Sequence, residues 1–107
     1  LETQKPINIM EKFNDIINSN QLALVDFFAT WCGPCKQMHP VLEQLKADLG
    51  DNIRIIKVDV DKNGSLAAAY RIQSVPTFML FRAGEILWRQ SGAMNLADLK
   101  NLLASHT

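Results

Sequence analysis

Two cysteines occur in the chain, and both fall in one tetrapeptide, Cys32-Gly33-Pro34-Cys35. A disulfide closing so short a loop removes little entropy from the unfolded chain, so fastening the fold is a poor explanation for the pair. Placed at the start of a helix, the same spacing has a clear chemical use. Residues three apart on one turn bring their Cβ atoms close enough for a reversible disulfide. The first cysteine then sits where unpaired amides and the helix dipole favour thiolate over thiol. Pro34 suits such a first turn, because the amide it lacks has no partner there. One sulfur can attack while the other, on the apolar side of the helix, resolves. Zinc would need four ligands, and only His39 and His106 could complete the set. A c-type haem site would need histidine directly after Cys35, where Lys36 stands. Dithiol redox chemistry is the reading that remains, with no metal.

The elements that must hold this tetrapeptide are legible on either side of it. Leu22-Ala23-Leu24-Val25-Asp26-Phe27-Phe28-Ala29 is almost continuously apolar, the pattern of a central strand covered on both faces. Asp26 is the one acid in it. After the tetrapeptide, Cys35, Met38, Leu42, Leu45 and Leu49 step by three and four, and Gly50 ends the run. Pro40 lies inside this helix, where a kink is expected. Upstream, Ile9, Phe13, Ile16 and Ile17 share one helical face, with Asn8 and Glu11 spaced as a capping box. Downstream, Ile53–Val60 reads as a second buried strand, and a short helix starts at Asn63 or Ser65 and runs to Tyr70. Thr77–Arg82 and Ile86–Ser91 form a hairpin around Ala83-Gly84-Glu85. Asn95 caps a last helix bearing Leu96, Leu99, Leu102 and Leu103. The order α β α β α β β α predicts an α/β fold, a central mixed sheet with helices on both faces.

At 107 residues, with 48% hydrophobic and 21% charged, the chain reads as a single domain over 1–107. Eleven basic and eleven acidic residues cancel, leaving no field to draw in nucleic acid or an anionic membrane. No apolar run approaches the length of a bilayer span. No basic stretch precedes an apolar one near the N-terminus, so a cytoplasmic setting is expected. The chain opens on Leu1, and an export signal upstream would make the setting extracytoplasmic.

Trp31-Cys32-Gly33-Pro34-Cys35-Lys36 resembles the active-site motif of the thioredoxins, and the resemblance runs along nearly the whole chain. Val25-Asp26-Phe27 is similar to that family's strand with a buried acid, and Pro40 to its helix proline. Lys57-Val58-Asp59 is similar to another of its strands, and Ser74-Val75-Pro76-Thr77 to its cis-proline loop. Gly84 and Gly92 match glycines in and after its terminal hairpin. The resemblance implies the thioredoxin fold and a protein disulfide reductase without a bound cofactor. Cys32 would attack a substrate disulfide, with the pKa of about 7 found for the family, and Cys35 would resolve the mixed disulfide. Gly33 and Pro34 resemble the reducing branch of the family rather than its oxidants and isomerases. Asp26 would take the proton of the resolving thiol, with Lys57 as its charge partner. Trp31, Val75, Pro76, Gly92 and Ala93 would line a shallow substrate groove, Val75 through its backbone. The implied partners are proteins carrying disulfides and a thioredoxin reductase, or a membrane relay outside the cytoplasm, acting on a monomer. A rival role, as a protein-binding subunit with dispensable thiols, is separable by replacing both cysteines.

Two positions depart from the family pattern. Phe28 stands where thioredoxins usually carry a second tryptophan, and reads as core packing by a smaller ring. His39 stands one helical turn beyond Cys35, where a small residue is usual, and reads as a solvated helix histidine rather than a residue that tunes the thiols. Trp88 reads as a packing residue.

Overall fold

The computed structural model describes residues 9–106, with the side chains of residues 9–11 left aside. The capping pair expected of Asn8 and Glu11 lies outside the described residues. The element order is α1 (Ile9–Ile17), β1 (Ala23–Phe28), α2 (Gly33–Leu49), β2 (Arg54–Asp59), α3 (Gly64–Ala69), β3 (Thr77–Arg82), β4 (Glu85–Ser91) and α4 (Leu96–Ala104). One sheet orders its strands β2-β1-β3-β4, with β1 parallel to β2 and antiparallel to β3, and β3 antiparallel to β4. Four strands and helices on both faces make the mixed sandwich that the element order predicts.

Alternation along β1 divides the core. Leu22 and Leu24 join Met38, Leu42 and Leu45 of α2 and Leu99 and Leu103 of α4 on one face. Ala23, Val25 and Phe27 join Phe13 and Ile17 of α1 and Leu66 of α3 on the other. A strand buried on both sides therefore reads as an unbroken apolar run, because successive side chains point to opposite faces that are both covered. Trp88 packs, half-buried, on the α2/α4 side.

The expectation of a second buried strand is corrected. β2 is an edge strand, and of its six residues only Val58 is fully buried, Ile55 and Ile56 being half-covered. β2 has a strand neighbour on one side only, and Ile55 and Ile56 pack at the margins of the two core clusters, one on each face. The hairpin turns through Ala83 and Gly84, with φ of 51° and 81°, the left-handed pair that a two-residue turn between twisted strands requires. Its amides donate to the last residue of α1 and to the turn after it, Gly84 N to Ile17 O (2.9 Å) and Ala83 N to Ser19 O (2.8 Å), tying the distant hairpin back to the first helix. α2 runs through Pro40 as one helix, and α4 starts at Asn95, whose Oδ1 accepts from Asp98 N at 2.8 Å.

Candidate active site

The cysteine pair stands at the junction of β1 and α2, at the point where the central strand gives way to the longest helix. Cys32 is the N-cap, with extended backbone (φ −87°, ψ 114°), and Gly33 and Pro34 form the first helical positions. The Cys32 Sγ accepts from the amide of Cys35 at 3.1 Å, so a sulfur does what an Asn or Ser oxygen does at other helix starts. The two cysteines are joined as a disulfide, with Cα atoms 5.2 Å apart, inside the window that needs no backbone movement. Cys32 keeps 4% of its surface exposed and Cys35 none, so an incoming sulfur meets Cys32. Gly33 and Pro34 are exposed on the outside of the turn.

The loop before β3 closes over this turn. Val75-Pro76 is a cis peptide, and the carbonyl oxygen of Val75 lies 3.6 Å from Cys32 Sγ. Pairing of β3 with β1 starts at Thr77, leaving Val75 and Pro76 beyond the ladder. Gly92, at φ 99°, donates its amide to Pro76 O at 2.8 Å, which brings the end of β4 beside the same loop, with Ala93 exposed next to it. Trp31 is 69% exposed and, with Val60, Ile72, Gln73, Ser74 and Val75, lines a shallow hollow of about 140 Å³ next to Cys32. Trp31, Cys32, Val75, Pro76 and Gly92 thus come together from three separate stretches of chain, with Pro76 buried.

Two contacts that brace this surface escape a reading by motif. Thr77 is fully buried, and its Oγ1 lies 2.7 Å from Ser74 O, to which it donates, and 2.8 Å from Ser91 Oγ. That hydroxyl ties the cis-proline loop to β4. Asp61 accepts from Trp31 Nε1 at 2.9 Å and orients the exposed indole. No local spacing signals either contact, since the partners lie 14 and 30 residues apart.

Asp26 lies on β1, two residues before the strand ends at Phe28. By alternation it shares the α2 side of β1 with Leu22, Leu24 and Phe28, and it is fully buried. Neither carboxyl oxygen has a hydrogen-bond partner among the described residues. Burial raises its pKa from 3.8 to about 6, and the positive charge of Lys57 pulls partly the other way. Lys57 is level with Asp26 in the parallel β1–β2 register. Its ammonium, however, donates to His39 Nδ1 at 2.8 Å rather than to the carboxyl. The expectation of a solvated helix histidine is thereby corrected: His39 is half-buried, bound to Lys57, and set edge-on against Phe28 with ring centroids 5.8 Å apart. Sequence spacing relates His39 to its own helix only, and it is the sheet beneath that supplies both neighbours. No group of three or more metal-ligating side chains gathers among the described residues.

Comparison with known proteins places this arrangement. The thioredoxin family model matches residues 5–105. A thioredoxin-like protein of Synechocystis is 44% identical over 84 residues, 78% of this chain and 80% of that protein. Chloroplastic thioredoxin Y1 of Arabidopsis thaliana is 42% identical over 83% of this chain and 52% of its own length. A bifunctional thioredoxin reductase/thioredoxin of Mycobacterium leprae is 42% identical over 81% of this chain, which spans only 19% of that protein. Among solved structures, a thioredoxin mutant of Halobacterium salinarum superposes with a TM-score of 0.83 at 38% identity, covering 91% of this chain and 84% of that one.

Proposed function

The chain belongs to the thioredoxin family and is a protein disulfide reductase, and we propose that it works as a general dithiol donor in which Cys32 attacks and Cys35 resolves. The observation that carries the assignment of roles is Cys32, which keeps 4% of its surface exposed and has its sulfur held by a helix-start amide, against a Cys35 with no exposure.

In the reduced protein the Cys32 thiolate attacks one sulfur of a substrate disulfide. That S–S bond breaks, a mixed disulfide forms, and the departing substrate sulfur takes a proton. Cys35 then loses its proton to Asp26, attacks Cys32 Sγ and expels the second substrate thiolate. Two electrons have moved to the substrate, and the protein is left in the disulfide form seen here. The unpartnered Asp26 carboxyl, with a pKa of about 6, is suited to accept and return a proton near neutral pH. Trp31, Val75, Pro76, Gly92 and Ala93 form the docking surface, where an extended substrate segment lies along the Val75 backbone.

Family members act on disulfide substrates and are generally recharged by a thioredoxin reductase. For this chain we assign a separate flavoprotein reductase of that kind, supported by the M. leprae relative whose name joins the two activities. The relatives include bacterial and chloroplastic proteins, and no described helix is long and apolar enough to cross a membrane. We assign a cytoplasmic, reducing setting, in which the dithiol form is maintained.

Single replacements of the two cysteines test the roles. Cys32→Ser is expected to abolish reduction of a disulfide-bonded protein. Cys35→Ser is expected to retain a reactive thiol and accumulate a mixed disulfide visible by mass. A stable adduct on Cys35 in the Cys32→Ser protein, with none on Cys32 in the Cys35→Ser protein, would reverse the assignment.

A further inference from the structure

The two positions that depart from the family pattern touch each other. Phe28 ends β1 and His39 lies on α2, and their rings meet edge to face at an interplanar angle of 80°. The imidazole thus has one side fixed by an aromatic ring, and its Nδ1 faces Lys57 Nζ at 2.8 Å. An ammonium only donates, so Nδ1 must be the bare nitrogen and the ring proton must sit on Nε2. Lys57 and Asp26 lie side by side in the sheet, and the carboxyl nevertheless has no hydrogen bond. A buried acid level with a lysine on the next strand would ordinarily draw that ammonium in, since opposite charges attract far more strongly away from water. Lys57 is exposed, and its ammonium is instead hydrogen-bonded to His39.

We propose that His39 is a positioning residue for the dithiol reaction: Phe28 fixes its ring, and its Nδ1 holds the Lys57 ammonium off Asp26, so that the carboxyl works as a proton carrier rather than as half of an ion pair. The inference rests on the reading of Asp26 as the proton acceptor of Cys35. An Asp26–Lys57 ion pair would keep the carboxylate charged and make it a weaker base for the thiol. Held at His39, the lysine stabilises the charged carboxylate only from a distance. The arrangement leaves the acid free to gain and lose its proton in each cycle.

The charged groups around this triad come from three elements. Lys57 shares an open hollow of about 220 Å³ with Glu43 and Lys46 of α2, and it borders a second hollow with Lys12 of α1. Glu43 is the one acid among these neighbours, and it is exposed, as is Lys57 itself. On the β3 side, Asp26 is level with the uncharged Phe78. No group on β3 at that level competes for the lysine.

The experiment follows the Asp26 carboxyl carbon by NMR against pH in the oxidised protein, where no thiol titrates. The readout is thus independent of whether Asp26 serves Cys35, and a failure of that reading would show separately as unchanged turnover in Asp26→Asn. His39→Leu keeps an apolar contact for Phe28 but removes the acceptor. Its Asp26 midpoint is expected to fall by about one pH unit as the lysine swings inward. His39→Asn restores an acceptor near the Nδ1 position and is expected to return the midpoint to that of the unaltered protein. In a Lys57→Met background, His39→Leu is expected to move nothing. Equal midpoints in His39→Leu and the unaltered protein would overturn the proposal. So would an undiminished shift in the Lys57→Met background, or an Asn variant that behaves like Leu.

Discussion

Asp26 shows how one residue couples stability to function. In the folded chain it gives up its proton at about pH 6, against 3.8 for an ordinary carboxyl, chiefly because burial disfavours the charge. Below about pH 4 the acid is neutral in folded and unfolded chains alike, and no charge is buried. Between about pH 4 and 6 the unfolded chain sheds the proton while the folded chain holds it, so stability falls across that window and then levels off. Asp26→Asn removes the titration. It is expected to stabilise the protein by on the order of 2–3 kcal/mol at pH 8 and to change little at pH 4, read from urea unfolding at the two pH values. Turnover of disulfide substrates should fall in the same variant. An equal gain at both pH values would mean that charge burial is not the cause. The sequence exposes Asp26 plainly, as a lone acid in an apolar strand. It does not expose the role of His39, because the contacts that define that side chain come from β1 and β2 rather than from its own helix.

Elements were legible where both their neighbours and their caps left a mark in the residue pattern. β1, covered twice, reads as a continuous apolar run, and α4 announces its start through Asn95. Ile53–Val60 also reads as a strand, but Arg54, Lys57 and Asp59 interrupt it, and β2 lies at the sheet edge, a place set by pairings that no local pattern encodes. The cis-proline loop was legible as a motif, but what braces it was not. Thr77 opens β3, and its buried hydroxyl joins the loop at Ser74 to β4 at Ser91. Thr77→Val keeps the shape and deletes the hydroxyl, leaving the Ser74 carbonyl and the Ser91 hydroxyl without that partner. The loss is expected to be about 1–2 kcal/mol of stability. Because the loop carries Val75 against Cys32, reduction of a protein disulfide should slow more than reduction of a small-molecule disulfide that needs no docking strand. Equal slowing of both would place the effect in the thiols rather than in the loop.

At the scale of the molecule, charge and core have separate consequences. Eleven cations balance eleven anions, so no net field steers substrates. Reduction of an uncharged disulfide is expected to change little between low and physiological salt, and a steep dependence would point to a local charged patch at the docking surface. The core is divided by the sheet into the α2/α4 cluster and the α1/α3 cluster. β1 and β3 contribute to both, through Leu24 and Leu80 on one face and Val25 and Phe81 on the other. Neither side can lose its packing without exposing the back of strands that the other side needs, which is the physical content of reading the chain as one domain. Each side carries its own probe: Trp88 packs on the α2/α4 cluster, and Tyr70, the single tyrosine, packs among Phe13, Phe27 and Phe81. Leu99→Ala opens a cavity on the first side and Phe13→Ala on the second, and each is expected to cost about 2–5 kcal/mol. In both variants, made in a Trp31→Phe background that leaves Trp88 as the single tryptophan, the tryptophan and tyrosine signals in near-ultraviolet circular dichroism should melt together, at one lowered midpoint. If Leu99→Ala released the Trp88 signal at a lower temperature than the Tyr70 signal, the two faces would be separate cooperative units and the single-domain reading would fail.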